Sequence, residues 1–294
     1  MKLQGIFSPI TTPFNHEGEL WKVKVQHNVE KWNTTELAGY VVSASTGESV
    51  MLSTDEKIQL WEWVAQWAGP EKLLIAGTGM DSVHQTVALT NRAAAIGYKL
   101  ALVKTPSFFK NQFNKPETQM LFFRAVADQS KIPVLLYNFP QNTGVDLAAE
   151  AVAELSHHPN IVGIKESSGS VEKLMQMVRE ATKGFQVLTG SATTLAPSLA
   201  IGCTGAILAF ANPAPYATIS IWEAHRTREP GAALDWQNRI GRAAKLVTTK
   251  YGIGGLKYAM DLAGYYGGPP RLPLQVPNPA AKQEIEEAFA ELRG

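Results

Sequence analysis

The stretch Ile161-Val162-Gly163-Ile164-Lys165-Glu166-Ser167 decides how this chain reads. An apolar run cut off by Lys-Glu-Ser predicts a buried parallel strand whose carboxyl end meets a loop. Such a strand delivers one lysine, Lys165, to its end. Burial disfavours an ammonium, and a neutral amine is a nucleophile able to form a Schiff base with a keto acid. The competing reading is a structural lysine paired with a carboxylate, most obviously Glu166. Adjacent strand residues point to opposite faces, so Glu166 is poorly placed to neutralise Lys165.

Working outward, residues 5–11, 39–43, 72–76, 100–104, 132–137, 185–189 and 205–210 also predict buried strands, which makes eight with 161–165. Segments with helical spacing lie between them. After the second strand Leu60, Val64 and Trp67 recur at i, i+4 and i+7, with Ser53 and Glu56 as a capping box at the start. Trp61 and Trp67 read as packing. The next helix spans 81–96, with Val83 and Val87 on one face and Gly97 as its stop. Val171, Leu174, Met175 and Val178 repeat the pattern after the sixth strand.

Eight strand–helix units in about 225 residues match a closed parallel barrel better than an open doubly wound sheet. The expected fold is therefore α/β, a (β/α)8 TIM barrel, with every strand's carboxyl end at one mouth. Residues 232–249, 256–263 and 280–292 continue as helix without further strands. They predict a C-terminal helical extension joined through the turn-rich Glu229-Pro230-Gly231, which divides the chain into 1–228 and 229–294.

Composition excludes several classes of function. Lys+Arg 27 against Asp+Glu 26 gives a net charge of +1, no footprint for nucleic acid or an anionic membrane. Residues 184–222 lack Asp, Glu, Lys and Arg, but Pro197, Pro213 and Pro215 break the run into pieces too short to span a bilayer. The single cysteine, Cys203, reads as a small packed residue and fits a reducing compartment. No long apolar signal segment follows Met1, so the expected location is cytoplasmic. The six histidines show no paired ligand spacing, and no metal site is expected. Gly77-Thr78-Gly79 begins like a dinucleotide fingerprint but has Ser82 in place of the third glycine. No cofactor is expected.

In a barrel, candidates for chemistry stand at strand ends. Tyr137 ends the fifth strand one unit before Lys165, so the two should be neighbours, and a phenol there could move protons. A packed tyrosine with a backbone-satisfied hydroxyl is the alternative. The second strand ends in Ser43-Ala44-Ser45-Thr46-Gly47-Glu48, whose amides and hydroxyls suit a carboxylate or make an ordinary turn.

Taken together, Ser45-Thr46-Gly47-Glu48, Tyr137-Asn138-Phe139-Pro140, Lys165-Glu166-Ser167, Gly190-Ser191 and Gly202-Cys203-Thr204-Gly205-Ala206-Ile207 resemble the dihydrodipicolinate synthase and N-acetylneuraminate lyase family of class I aldolases. The resemblance covers essentially the whole chain. It implies a barrel with a C-terminal helical domain, usually assembled as a homotetramer of two tight dimers, acting on a small keto acid. It also implies Lys165 as the Schiff-base lysine, Tyr137 as the proton-relay tyrosine and Ser45 as a relay hydroxyl. Thr46 would hold the keto-acid carboxylate, and Gly190, Ile207 and Ser167 would line the pyruvyl pocket.

Two departures stand out. Where the synthase has an arginine for the semialdehyde carboxylate this chain has Gln141-Asn142-Thr143-Gly144, and Asn142 cannot supply that charge or fork. Where the synthase has a relay tyrosine reaching in from a neighbouring subunit, Ser107-Phe108-Phe109 stands. The Asn142 variant, with Gly255-Leu256-Lys257 and Tyr265-Tyr266-Gly267-Gly268-Pro269, looks most like the 4-hydroxy-2-oxoglutarate aldolase branch. Thr54, Lys57 and Gln85 replace other residues of the regulated synthases' lysine pocket, so no lysine inhibition is expected.

The first expectation is cleavage of 4-hydroxy-2-oxoglutarate to pyruvate and glyoxylate. The alternative is condensation of pyruvate with aspartate semialdehyde. A non-catalytic keto-acid sensor is the reading from another class, and a binding protein needs neither Lys165 nor Tyr137.

Overall fold

The computed structural model describes residues 1–293. Its eight strands are β1 Gly5–Pro9, β2 Gly39–Val42, β3 Leu73–Gly77, β4 Leu100–Lys104, β5 Val134–Asn138, β6 Ile161–Glu166, β7 Gln186–Thr189 and β8 Gly205–Ile207. Each pairs in parallel with the next, and β8 closes on β1. Phe7, Val41, Ile75, Leu102, Leu135, Leu188 and Ile207 point inward and fill the barrel with side chains. A second apolar layer packs between the strands and the surrounding helices, and it continues through Ile240, Ala243, Ile285 and Phe289 of the C-terminal helices. Among the described residues no helix is long and apolar enough to cross a membrane.

Local chemistry sets the helix ends as expected at two places. Ser53 accepts from the Glu56 amide while the Glu56 carboxylate accepts from the Ser53 amide, and Gly97 closes Val83–Ile96 in the left-handed region. Trp61 is fully buried and donates its indole N–H to Ser43 Oγ at 2.7 Å.

Four expectations need correction. β8 stops at Ile207 because residues 209–211 turn into a 3-10 helix. Asn212 then bonds the Pro9 and Ala209 carbonyls and the Thr11 amide, tying that turn back to β1. The buried stripe of the third helix is Thr86, Leu89, Thr90 and Ala93, while Val83 and Val87 lie at its margin. On Val171–Glu180 the core takes Leu174 and Met177, and Met175 faces solvent. Pro230 is no linker residue: it is the first residue of the helix Pro230–Lys245, where a missing N–H costs nothing.

Candidate active site

Strand register assembles the site. Tyr137 pairs with Lys165, and Lys165 pairs with Leu188. Tyr137 and Leu188 belong to the inward cluster, so Lys165 also points into the barrel mouth. Its side chain is 4% exposed, and Nζ makes no hydrogen bond or ion pair among the described residues. Nζ lies 4.2 Å from the centroid of the Tyr137 ring, which in turn stacks on Phe139. Burial in this apolar surrounding pulls the amine down to about 7.

Glu166 points the other way, as the alternation of a strand requires. It accepts from Asn138 Nδ2 at 2.7 Å and from the Ser168 amide at 2.5 Å, with Lys173 Nζ at 3.9 Å. Asn138 also bonds Asp146, and Lys173 reaches the same carboxylate. This outer network leaves Lys165 without a counter-charge while it fixes the end of β6.

Burial raises the Tyr137 phenol to about 12, while the nearby Ser45 and Ser167 hydroxyls pull it back. Ser167 Oγ is buried without a well-aligned partner, so its influence on the phenol is one of proximity. Ser45 and Tyr137 line one small cavity.

Gly190 follows β7 and faces the lysine. A Cβ built there would stand 1.8 Å from Ser167 Oγ and 3.1 Å from Lys165 Cε. Gly190→Ala is therefore expected to displace the amine and lower kcat/KM by at least about 100-fold, the cost of an ångström-scale misplacement. Steady-state kinetics with circular dichroism as a check on folding measures this; a loss under threefold overturns the steric argument. Ile207 is fully buried at the end of β8.

The loop after β2 carries Ser45 and Thr46 between two residues in the left-handed region, Ser43 at φ 53° and Glu48 at φ 57°. Neither is glycine, so surrounding contacts must hold both. Trp61 holds Ser43. The Thr12 hydroxyl donates to the Gly47 carbonyl at 2.7 Å. Glu48 is 2% exposed and pairs with Lys257 Nζ at 2.6 Å, while the Arg271 amide donates to its other oxygen at 2.8 Å. Lys257 also donates to the Thr12 and Pro269 carbonyls. The Gly255-Leu256-Lys257 motif of the C-terminal region thus reaches under the barrel mouth, a role that its position in the sequence did not reveal.

Asn142 lies on the exposed turn Pro140–Thr143, and no arginine stands there. A cation does approach: Lys110 Nζ sits 2.8 Å from where a Gly144 Cβ would be. Phe108 and Phe109 are exposed and pack edge to face on one another. A separate cavity of about 660 Å³ lies against Trp21, Tyr258, Asp261 and Tyr266, and Lys165 does not line it.

Known proteins resemble this chain along nearly its whole length. Residues 2–292 match the profile of the dihydrodipicolinate synthetase family. A relative from Methanothrix thermoacetophila named 4-hydroxy-tetrahydrodipicolinate synthase is 36% identical over 274 residues, 92% of this chain and 90% of its own. One of the same name from Xanthomonas campestris pv. campestris is 36% identical, covering 99% and 94%. The solved synthase of Methylacidiphilum fumariolicum SolV superposes with a TM-score of 0.92 at 27% identity, over 99% of this chain and 96% of that one. That of Aquifex aeolicus gives 0.93 at 25%, over 99% and 98%. A barrel with an unpaired lysine at the end of its sixth strand, matched from end to end by these proteins, belongs to the dihydrodipicolinate synthetase family of class I aldolase-type enzymes.

Proposed function

We propose that this enzyme condenses pyruvate with aspartate semialdehyde through an imine on Lys165. The observation that carries the Schiff-base step is a buried amine with no carboxylate partner beside a phenol. The relatives' names support the synthase reaction, which the sequence reading put second, over cleavage of 4-hydroxy-2-oxoglutarate. Lys110 over the Gly144 turn supports it too, as a charge near the position of the missing arginine.

In this reading neutral Lys165 attacks the C2 carbonyl of pyruvate, the carbinolamine loses water to leave an iminium, and loss of a C3 proton to the Tyr137–Ser45 relay turns the iminium into a nucleophilic enamine. Tyr137, kept protonated by burial, donates to the departing hydroxyl and recovers the proton through Ser45. Thr46 and the amides of its loop hold the carboxylate and keep C2 over the amine. Gly190, Ile207 and Ser167 wall the pyruvyl half. We assign the assembly as a homotetramer, for which the exposed Phe108–Phe109 pair offers an apolar contact.

A second reading, cleavage of 4-hydroxy-2-oxoglutarate, is favoured by Asn142 at the arginine position. Parallel steady-state assays of both reactions on one preparation separate the two. The synthase reading expects kcat/KM for condensation to exceed that for cleavage by at least about tenfold, and Lys110→Met to raise the semialdehyde KM without changing that for pyruvate. The reverse ratio replaces it with the aldolase.

The lowered amine also has a pH signature. Lys165 is neutral above about 7 and charged below, so the rate of cyanoborohydride-trapped imine formation with pyruvate should rise through that pH and level off. A lysine at its ordinary 10.5 would keep rising through the alkaline range. A midpoint above about 9 removes the assigned role of burial.

A further inference from the structure

Beside the Schiff-base pocket, on the Ser45 side of Tyr137, lies a small cavity of about 20 Å³. Two lysines reach it. Lys104 ends β4 in register with Tyr137 and has the parity of inward-facing Leu102. Lys57 comes from the helix Thr54–Trp67 and is only 5% exposed. Gly79 makes the approach possible, since a Cβ there would meet Lys104 Cγ at 2.9 Å and its amide at 2.5 Å. The partial glycine fingerprint thus makes room for a cation.

The charges do not balance. Among the described residues, the polar partner of Lys57 Nζ is Met80 Sδ at 3.6 Å, a weak acceptor, and it has no carboxylate. Lys104 Nζ touches the Thr105 carbonyl at 3.4 Å and Asp81 Oδ1 at 3.9 Å, an oxygen already taken by the Ser107 amide at 2.6 Å. Burial lowers both amines, and the charge of Lys104 lowers Lys57 further. The other polar side chains on the wall are the hydroxyls of Ser45, Ser49 and Tyr137, which can donate, and that of Ser43, which donates to the Gly77 carbonyl. Two ammoniums converging in a desolvated space are costly, and Asp81, at the long edge of an ion pair with Lys104, is the one carboxylate near either of them among the described residues.

We infer that Lys57 and Lys104 form a binding site for a small monovalent anion beside the relay hydroxyls. The space suits one compact negative atom, a halide-sized ion or one carboxylate oxygen, since about 10–15 Å³ accommodates a water. The same pair repels a cationic amino acid. An anion seated here touches the wall that carries Ser45 and Tyr137, so the site adjoins the proton path without overlapping the amine of Lys165.

The test uses bromide and the intact chain. Bromide-soaked crystals should give an anomalous peak between the two amines that is lost in Lys57→Met and in Lys104→Met. In solution, replacing a bulky sulfonate by bromide at constant ionic strength should raise the thermal midpoint of the wild type by about 2–3 °C at tenfold the dissociation constant. The rise should fall by at least half in either variant. A peak that disappears when keto acid is added assigns the site to the substrate's carboxylate; one that persists assigns it to a free anion. Crystals with bromide on the surface and none between the lysines overturn the inference, as does an equal thermal response in both variants. Because binding is read without substrate, failure here leaves imine trapping on Lys165 to be judged independently.

Discussion

Replacing Lys165 with alanine is expected to abolish imine trapping and to lower turnover on the order of 10⁵–10⁶-fold, the scale on which removing a covalent nucleophile acts. No other lysine can substitute. Lys104 and Lys173 are the nearest candidates by register and network, but Lys104 turns toward Gly79 and Lys173 pairs outside the barrel with Asp146 and Glu166. The variant should fold well, because burying a methyl in place of an unpaired amine removes a desolvated polar group. Peptide mass spectrometry after pyruvate and cyanoborohydride locates the adduct in the parent. An adduct on a different lysine, or retained turnover in Lys165→Ala, would falsify the assignment.

Tyr137→Phe should divide the reaction differently. The ring that packs against Lys165 and Phe139 is kept, so the amine stays desolvated and imine formation persists at a reduced rate. What is lost is a proton donor held in the protonated state by burial. Proton transfers to the carbinolamine hydroxyl and from C3 should slow by about 10²–10⁴-fold. Single-turnover trapping and steady-state turnover, measured on one preparation, report the two halves. Equal turnover in parent and variant removes the relay role; complete loss of trapping makes the phenol necessary for imine formation itself.

The barrel was legible because buried parallel strands advertise themselves as continuous apolar runs closed by turn residues, and eight such runs at regular spacing admit few architectures. The adjacency of Tyr137 and Lys165 followed from one strand–helix unit between them. Glu166 could be set aside from strand alternation alone, and the structure shows it bonded to Asn138 and Ser168. Other features had no local signature. In the helix after β3 Val83 and Val87 pack against the core only in part, because the fully buried stripe runs through Thr86, Leu89, Thr90 and Ala93, two of them polar. Residues 208–210 are as strand-like as 205–207, and the nearby Asn212 ties the turn that follows back to Pro9, a partner distant in the sequence. Lys57 read as a replacement in the regulated synthases' lysine pocket and Lys104 as the end of a strand, and nothing in the sequence announces that they line one cavity. Glu48 and Lys257 meet across most of the sequence. Lys165, Tyr137 and the loop at residues 45–48 came from the strand-end reading, family resemblance added their roles with Gly190 and Ile207, and the relatives then favoured the synthase over the branch suggested by Asn142.

The pairing of Glu48 with Lys257 and Arg271 also bears on how the enzyme opens. Lys257 is 0% exposed, and its ammonium joins the helix Gly252–Leu262 to the carbonyls of Thr12 and Pro269 as well as to Glu48. The Arg271 guanidinium bonds the Gly18 and Met51 carbonyls and Glu56, closing the connection from outside. Releasing that helix would strand a buried carboxylate, so the helix and the loop at residues 45–48 cannot detach one without the other. They are expected to open as a single cooperative unit in native-state amide exchange, with protected amides in both segments sharing one opening free energy. The mouth of the barrel is therefore guarded against local fluctuation by a segment anchored beneath it through Glu48 and Thr12.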